Sequence, residues 1–179
     1  MLAFTRVALG LLLGSLSIAV CAGEIVGSSF ISEKDGVIEV AAEGWTIMDT
    51  EAAPPFPYVI ARFTLRPPLK GMSPYADLFR LPNPGGQVTP EAMLQSLRDS
   101  LGKQPNMTPA AIEARQFAGR RVLALPVTVK VPTANATVNG MIYMMQGERS
   151  LYWAQFFANA TIWNDARAAF DRLMENVKY

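Results

Sequence analysis

Along most of the chain hydrophobic and polar residues alternate with a period of two, and in two places the period lengthens to that of a helix. Gly36 to Ala42 predicts a strand ending at Glu43-Gly44-Trp45. PYVIARFTL, Pro57 to Leu65, predicts a second, entered from the loop Pro54-Pro55-Phe56-Pro57 and closed by Pro67-Pro68. Tyr75 to Leu81 predicts a third, stopped by Pro82-Asn83-Pro84-Gly85-Gly86, a stretch no regular element can cross. Then the period changes. Thr89 fits an N-cap and Pro90 a first helical position; Met93, Leu94, Leu97 and Leu101 follow at three- and four-residue spacing, and Gly102 fits the stop.

In the second half the alternation is clearest. From Leu123 to Val131 the odd positions are all Leu or Val, whereas the even ones include Thr128 and Lys130, and Pro126 suggests an edge or a bulge. MIYMM (141–145) and SLYWAQFFA (150–158) read as a hairpin with Gly147-Glu148 as a two-residue loop, Gly147 supplying a positive φ. That loop puts Ile142, Met144, Leu151 and Trp153 on one face and Met141, Tyr143, Met145, Tyr152, Ala154 and Phe156 on the other. Both faces are apolar, so each needs a cover. A last helix is expected from about Trp163 to Lys178, capped by Thr161 or Asn164, with Ala166, Ala169, Phe170, Leu173, Met174 and Val177 on one stripe.

The first 22 residues do not fit that fold. Arg6, an apolar run from Val7 to Val20 and the small residues around Val20-Cys21-Ala22 read as a secretory signal cleaved after Ala22. The rival is a lipoprotein signal with Cys21 as the lipidated residue, for which Val20 is a poor neighbour. The run is shorter than the roughly 20 residues of a spanning helix, so no transmembrane anchor is expected after cleavage. The expected organisation is a leader over 1–22 and one domain over 23–179. The chain has no His and one Cys, which excludes imidazole-based metal sites and Ser-His or Cys-His nucleophile pairs.

Charge is balanced overall, with 16 Lys plus Arg against 15 Asp plus Glu, which speaks against a nucleic-acid partner. It is unevenly spread: residues 24–51 carry seven acids and one base, residues 52–147 ten bases and four acids. Either neighbouring strands neutralise each other or the surface is polarised toward a partner.

The order of these elements resembles the PsbP/Mog1/DcrB superfamily. A strand leads to Gly44-Trp45, then come PYVIARFTL, a central helix, FAGRRVLALPVTV, MIYMMQGERSLYWAQFFA and the closing NDARAAFDRLMENVK. The likeness is a pattern over most of 23–179, without a signature motif, and does not extend to Leu81–Ala118. It implies an α+β fold, a central antiparallel sheet of about six strands covered by helices on its faces as an α/β/α sandwich. It further implies a small exported envelope protein, akin to extrinsic subunits that assist assembly of a membrane complex. The superfamily has no shared catalytic residues, so none is carried over, and no cofactor or metal is expected.

Candidate chemistry is correspondingly thin. Ser100-Leu101-Gly102-Lys103 has a Ser-x-x-Lys spacing but falls where a helix ends. Asp49 with Glu51, or Glu39 with Glu43, can be drawn as carboxylate pairs and are more simply solvated strand positions. Binding surfaces are better candidates. Phe56, Tyr58, Arg62, Arg66, Lys70 and Arg80, with the proline loops beside them, form a candidate surface for a protein partner in the cell envelope, or simply a wet strand face. Met141, Tyr143, Met144, Met145, Trp153 and Phe156 are candidate lining for a lipid or other apolar small molecule, or simply a sheet core under helices. The reading is an exported, periplasmic, non-enzymatic accessory or assembly factor, with a carrier of apolar ligands as the alternative and a hydrolase last.

Overall fold

The computed structural model describes residues 23–34, 36–50 and 58–179. Residues 1–22, with Cys21 and the expected leader, and residues 51–57, with Glu51 and Phe56, lie outside the described residues. Twelve strands and two α-helices follow in the order β1 (Glu24–Val26), β2 (Ser29–Ser32), β3 (Ile38–Ala41), β4 (Trp45–Asp49), β5 (Val59–Leu65), β6 (Tyr75–Pro82), α1 (Pro90–Gly102), β7 (Met107–Pro109), β8 (Glu113–Phe117), β9 (Arg120–Val131), β10 (Ala136–Gln146), β11 (Ser150–Asn159), α2 (Trp163–Glu175) and β12 (Val177–Lys178). They build an eight-stranded sheet, β4-β5-β6-β11-β10-β9-β7 with β8 also on β9, and a four-stranded sheet, β1-β2-β3-β12. All pairings are antiparallel.

The class is mixed α+β, as expected, but six strands with helices on both faces understates the sheet content. The strand expected to run from residue 36 to the Gly44-Trp45 corner is divided by that corner. Gly44 takes φ +79° and the Trp45 amide donates to the Ala42 carbonyl at 3.0 Å, so β3 enters the small sheet and β4 becomes the edge of the large one. Strands β1, β2, β7, β8 and β12 are further additions. Each has five residues or fewer, too short to show a period of its own.

The two-faced character of the hairpin organises the core. One face of the large sheet carries Met141, Tyr143, Met145, Tyr152, Ala154 and Phe156, and packs beneath α2 and the small sheet, whose Phe30, Ile38 and Val40 join the same cluster. The other carries Leu123, Leu125, Ile142, Met144 and Leu151, and is covered by α1 through the fully buried Leu94. This is the division that alternation requires. The turn differs in detail. Gln146 pairs with Leu151 and the Gly147 amide donates to the Ser150 carbonyl at 2.9 Å, so Glu148-Arg149 forms the tip and Gly147 needs no positive φ. Glycine is needed there for a different reason: a Cβ would lie 2.6 Å from the Tyr152 ring and 3.1 Å from the Ser150 carbonyl oxygen. The shift moves both strands by one residue, which preserves every face assignment.

Helix α1 starts as its sequence dictates, with Thr89 Oγ1 accepting from the Ala92 amide at 3.2 Å and Pro90 leading the helix. Helix α2 does not. Asn159 accepts from the Thr161 amide in a short 3-10 turn before the helix, and Ile162 occupies the cap position without a side-chain bond, so neither Thr161 nor Asn164 caps it. It also ends earlier than expected. Asn176 closes the helix and Val177 pairs with Val40 in the small sheet.

Candidate functional site

The surface read from the first half of the chain does not form one patch. Tyr58 is exposed and its carbonyl accepts from the Arg80 amide, which sets it beside the exit of β6 and the loop that leads to α1. Arg66 and Lys70 lie beyond the other end of β5, where the Lys70 ammonium donates to the Thr161 carbonyl at 3.2 Å. Arg80 is not at the surface at all. It is 5% exposed on the face under the small sheet, and its guanidinium donates to Ser32 Oγ at 2.7 Å. Alternation alone placed it as wet; the Ser32 that meets it comes from β2, a strand too short to read.

Arg62 is the informative member. Its guanidinium makes two bonds to Asp77, Nε to Oδ1 at 2.6 Å and Nη2 to Oδ2 at 2.9 Å, and lies 4.2 Å over the centre of the Tyr75 ring. Asp77 is 1% exposed, whereas Tyr75 is 48% exposed. Met48, 59% exposed, stands opposite Arg62 in the β4–β5 register, and Thr64 stands opposite Tyr75. These residues lie on the same face of the large sheet as the α1 core. Helix α1 packs on β7, β9 and β10, so among the described residues the β4–β5–β6 corner of that face carries no helix. Tyr75, Met48 and Asp77 were not singled out from sequence; the signal that finds them is cross-strand register, which needs the sheet order.

The candidate apolar lining is divided by the sheet itself. Met141, Tyr143, Met145 and Phe156 belong to the face beneath α2, while Met144 and Trp153 belong to the face beneath α1. No single cavity can be lined by all six. Met144, 1% exposed, borders an indentation of ≈ 190 Å³ with Pro90, Glu91 and Arg121, the last two joined by an ion pair at 2.9 Å. Met144→Trp is therefore expected to overpack the α1 core and destabilise the protein by about 1–3 kcal/mol, read from the urea midpoint. Unchanged stability would instead reveal room for a ligand there.

Tyr143 is the one buried hydroxyl in that set, and it donates to Asp171 Oδ1 at 2.6 Å. Burial first, and then this bond, push its phenol well above the ordinary 10.0. The consequence for stability has a definite sign. Below the unfolded value, about pH 10, both states hold the proton; above it the unfolded tyrosine ionises while the folded one resists, so stability falls as pH rises. Tyr143→Phe is expected to make the alkaline loss shallower between about pH 9 and 11. Some loss should persist because burial also raises Tyr179. Equal slopes in the variant and the parent would show that Tyr143 does not carry the effect.

Arg66 stands at the mouth of a cleft of ≈ 250 Å³ between the β3–β4 turn, the end of β5 and the last turn of α2. The remaining chemistry is dispersed. Ser100 is in the last turn of α1 and the Lys103 amide donates to its carbonyl, the geometry of a helix end, with both residues exposed. Glu39 is paired with Lys178 at 3.1 Å, and burial raises Asp49 above its ordinary value. Among the described residues no three His, Cys, Asp or Glu side chains converge as a metal site, and no helix is long and apolar enough to cross a membrane.

A large antiparallel sheet, with a helix on one face and a helix plus a small sheet on the other, defines a class of fold, and solved structures share it. No family model matches the sequence, and no curated protein does. LpqN of Mycobacterium tuberculosis, described as involved in cell envelope biogenesis, is similar at TM-score 0.53 and 16% identity over 79% of this chain and 82% of its own. The cyanobacterial PsbP, CyanoP, from Synechocystis sp. PCC 6803 is similar at TM-score 0.57 and 16% identity, over 93% of this chain and 98% of its own. PA94 of Pseudomonas aeruginosa, a protein of unknown function, matches at TM-score 0.53 and 10% identity over 73% of this chain and 94% of its own. The chain has the PsbP/Mog1/DcrB-like fold that its element order anticipates.

Proposed function

We propose that this protein is a non-enzymatic binding protein of the cell envelope, exported by the leader over residues 1–22 and acting as an accessory or assembly factor for an envelope protein complex. The observation that carries the reading is the Tyr75–Arg62–Met48 corner of the large sheet. An exposed aromatic ring, an exposed methionine and a guanidinium between them are side chains enriched where protein partners bind. Here they are also ordered in advance. Asp77 holds Arg62 with two bonds from within the sheet, and Arg62 holds Tyr75 by stacking, so little rotamer freedom is left to lose on association. Tyr58 extends the surface toward the loop before α1, where Val88 is 40% exposed. LpqN, which shares the fold, is described as involved in cell envelope biogenesis, which supports an envelope role and does not by itself choose the partner.

The test is in-cell photocrosslinking. A benzophenone amino acid at position 75 or 48 should give a discrete higher-mass adduct with an envelope protein, and one at Gln95 on the outer surface of α1 should not. No adduct from either position, or the same bands from Gln95, would remove this surface as the binding site. The intact mass of the protein recovered from the periplasm should correspond to a chain beginning at Gly23.

A further inference from the structure

The cleft at the end of α2 is built like a small-ligand site, and the partner surface does not use it. Its floor is apolar: Leu65 from β5, Ala169 and Leu173 from α2, and part of Trp45 from β4. Its mouth is charged, with Arg66 following β5, Arg172 in the last turn of α2 and Glu43 in the β3–β4 turn. None of these three charged side chains makes an ion pair or side-chain hydrogen bond among the described residues, although all three line one cleft. Gly44 shapes the rim. Its φ of +79° sets the turn, and its carbonyl accepts from the Arg66 amide at 2.8 Å, so the backbone beneath the arginine is anchored while its side chain is left to the cleft.

We propose that this cleft binds a small organic monocarboxylate, its carboxylate between Arg66 and Arg172 and its short apolar body on Leu173, Ala169 and Trp45. Two guanidiniums against one carboxylate leave a single positive charge to be answered. A dianion such as phosphate would overshoot that single charge and leave an excess negative charge beside Glu43 and the negative end of the α2 dipole, where a monocarboxylate leaves none. A neutral molecule would leave the guanidiniums unanswered. The volume is just below the roughly 300–1,000 Å³ of pockets for larger organic ligands, which limits the apolar body to a short chain or one side chain. The same chemistry is offered by a free short-chain acid and by the C-terminal carboxylate of a polypeptide.

Calorimetric titration of the folded protein tests this with four probes: hexanoate, N-acetyl-leucine as the model of a chain terminus, hexanamide and inorganic phosphate. Hexanoate or N-acetyl-leucine should bind saturably, hexanamide and phosphate should not, and the tighter of the two carboxylates identifies the source. Arg66→Gln and Arg172→Gln, both at exposed positions, should each weaken binding by about tenfold or more, as expected for loss of a charge-assisted bond. No saturable carboxylate binding overturns the proposal, as does affinity unchanged in both variants, or hexanamide binding as well as hexanoate. The cleft and the Tyr75 corner lie on opposite faces of the large sheet, so failure here leaves the crosslinking result untouched, and the reverse also holds.

Discussion

Phe170→Ala is expected to lower stability by about 3–5 kcal/mol, the range for removing a wholly buried aromatic ring. Phe170 has no exposed surface, and its ring lies 5.4 Å from that of Tyr143 and 4.9 Å from that of Phe156, stacked on both. Phe156 is stacked in turn on Trp163, at 6.0 Å, so the rings form one run from the sheet into α2. Alanine would leave a cavity between rigid partners that cannot collapse on it. Urea unfolding gives the value directly. The same set should include Phe156→Ala and the double variant, because residues in contact are expected to couple and the double loss should differ from the sum of the singles. A loss below about 2 kcal/mol would mean that α2 repacks freely, contrary to the stacking described.

Arg62→Ala is expected to cost about as much, roughly 3–5 kcal/mol, for an electrostatic reason. The pair is asymmetric: Asp77 is 1% exposed and the Arg62 side chain 24% exposed. Removing the arginine leaves a carboxylate inside the sheet without its counter-charge, whereas removing the aspartate leaves a guanidinium that can turn toward water. Asp77→Asn should therefore be milder than Arg62→Ala, and Arg62→Met combined with Asp77→Leu should recover most of the loss. If Asp77→Asn proves the more damaging, the carboxylate left without its counter-charge is not the main cost and neither is the stacking of Arg62 on Tyr75, which that variant retains. Because Arg62 also belongs to the proposed contact surface, its effect on partner binding is interpretable only beside these stability values.

The elements that could be read in the sequence are those whose signals are local. Thr89-Pro90 opens α1 because a hydroxyl and an imino ring satisfy helix-start geometry wherever they occur. The hairpin faces survived a misplaced turn because parity, unlike turn position, is unaffected when both strands shift by one residue. What could not be read depends on partners far along the chain. Val177 falls on the helical stripe of Leu173 and Met174, yet it belongs to a strand because β3 is there to pair with it. Arg80 looks wet until β2 supplies Ser32 above it. The hairpin of β8 and β9 was missed although Ala118 and Gly119 both take positive φ, because Ala is not a residue that announces such a turn.

The same holds for the sites. Arg62 and Arg66 are bases near one another in sequence, but Arg62 is bonded to Asp77 on one face of the large sheet and Arg66 lines a cleft with Arg172 on the other. Neither assignment is visible without the strand order.

The pairing of β12 with β3 has a consequence for the order of events during synthesis. Lys178 bonds Glu39 across 139 residues of sequence, so the small sheet cannot be completed until nearly the whole described chain has been made. Until then β3 has an unpaired edge, and the core beneath it lacks Val177. Closing so distant a contact is entropically slow, and folds rich in such contacts assemble over about milliseconds to seconds, not microseconds. A polypeptide with this topology stays incompletely folded while it is still being elongated, the condition in which a chain can be threaded across a membrane.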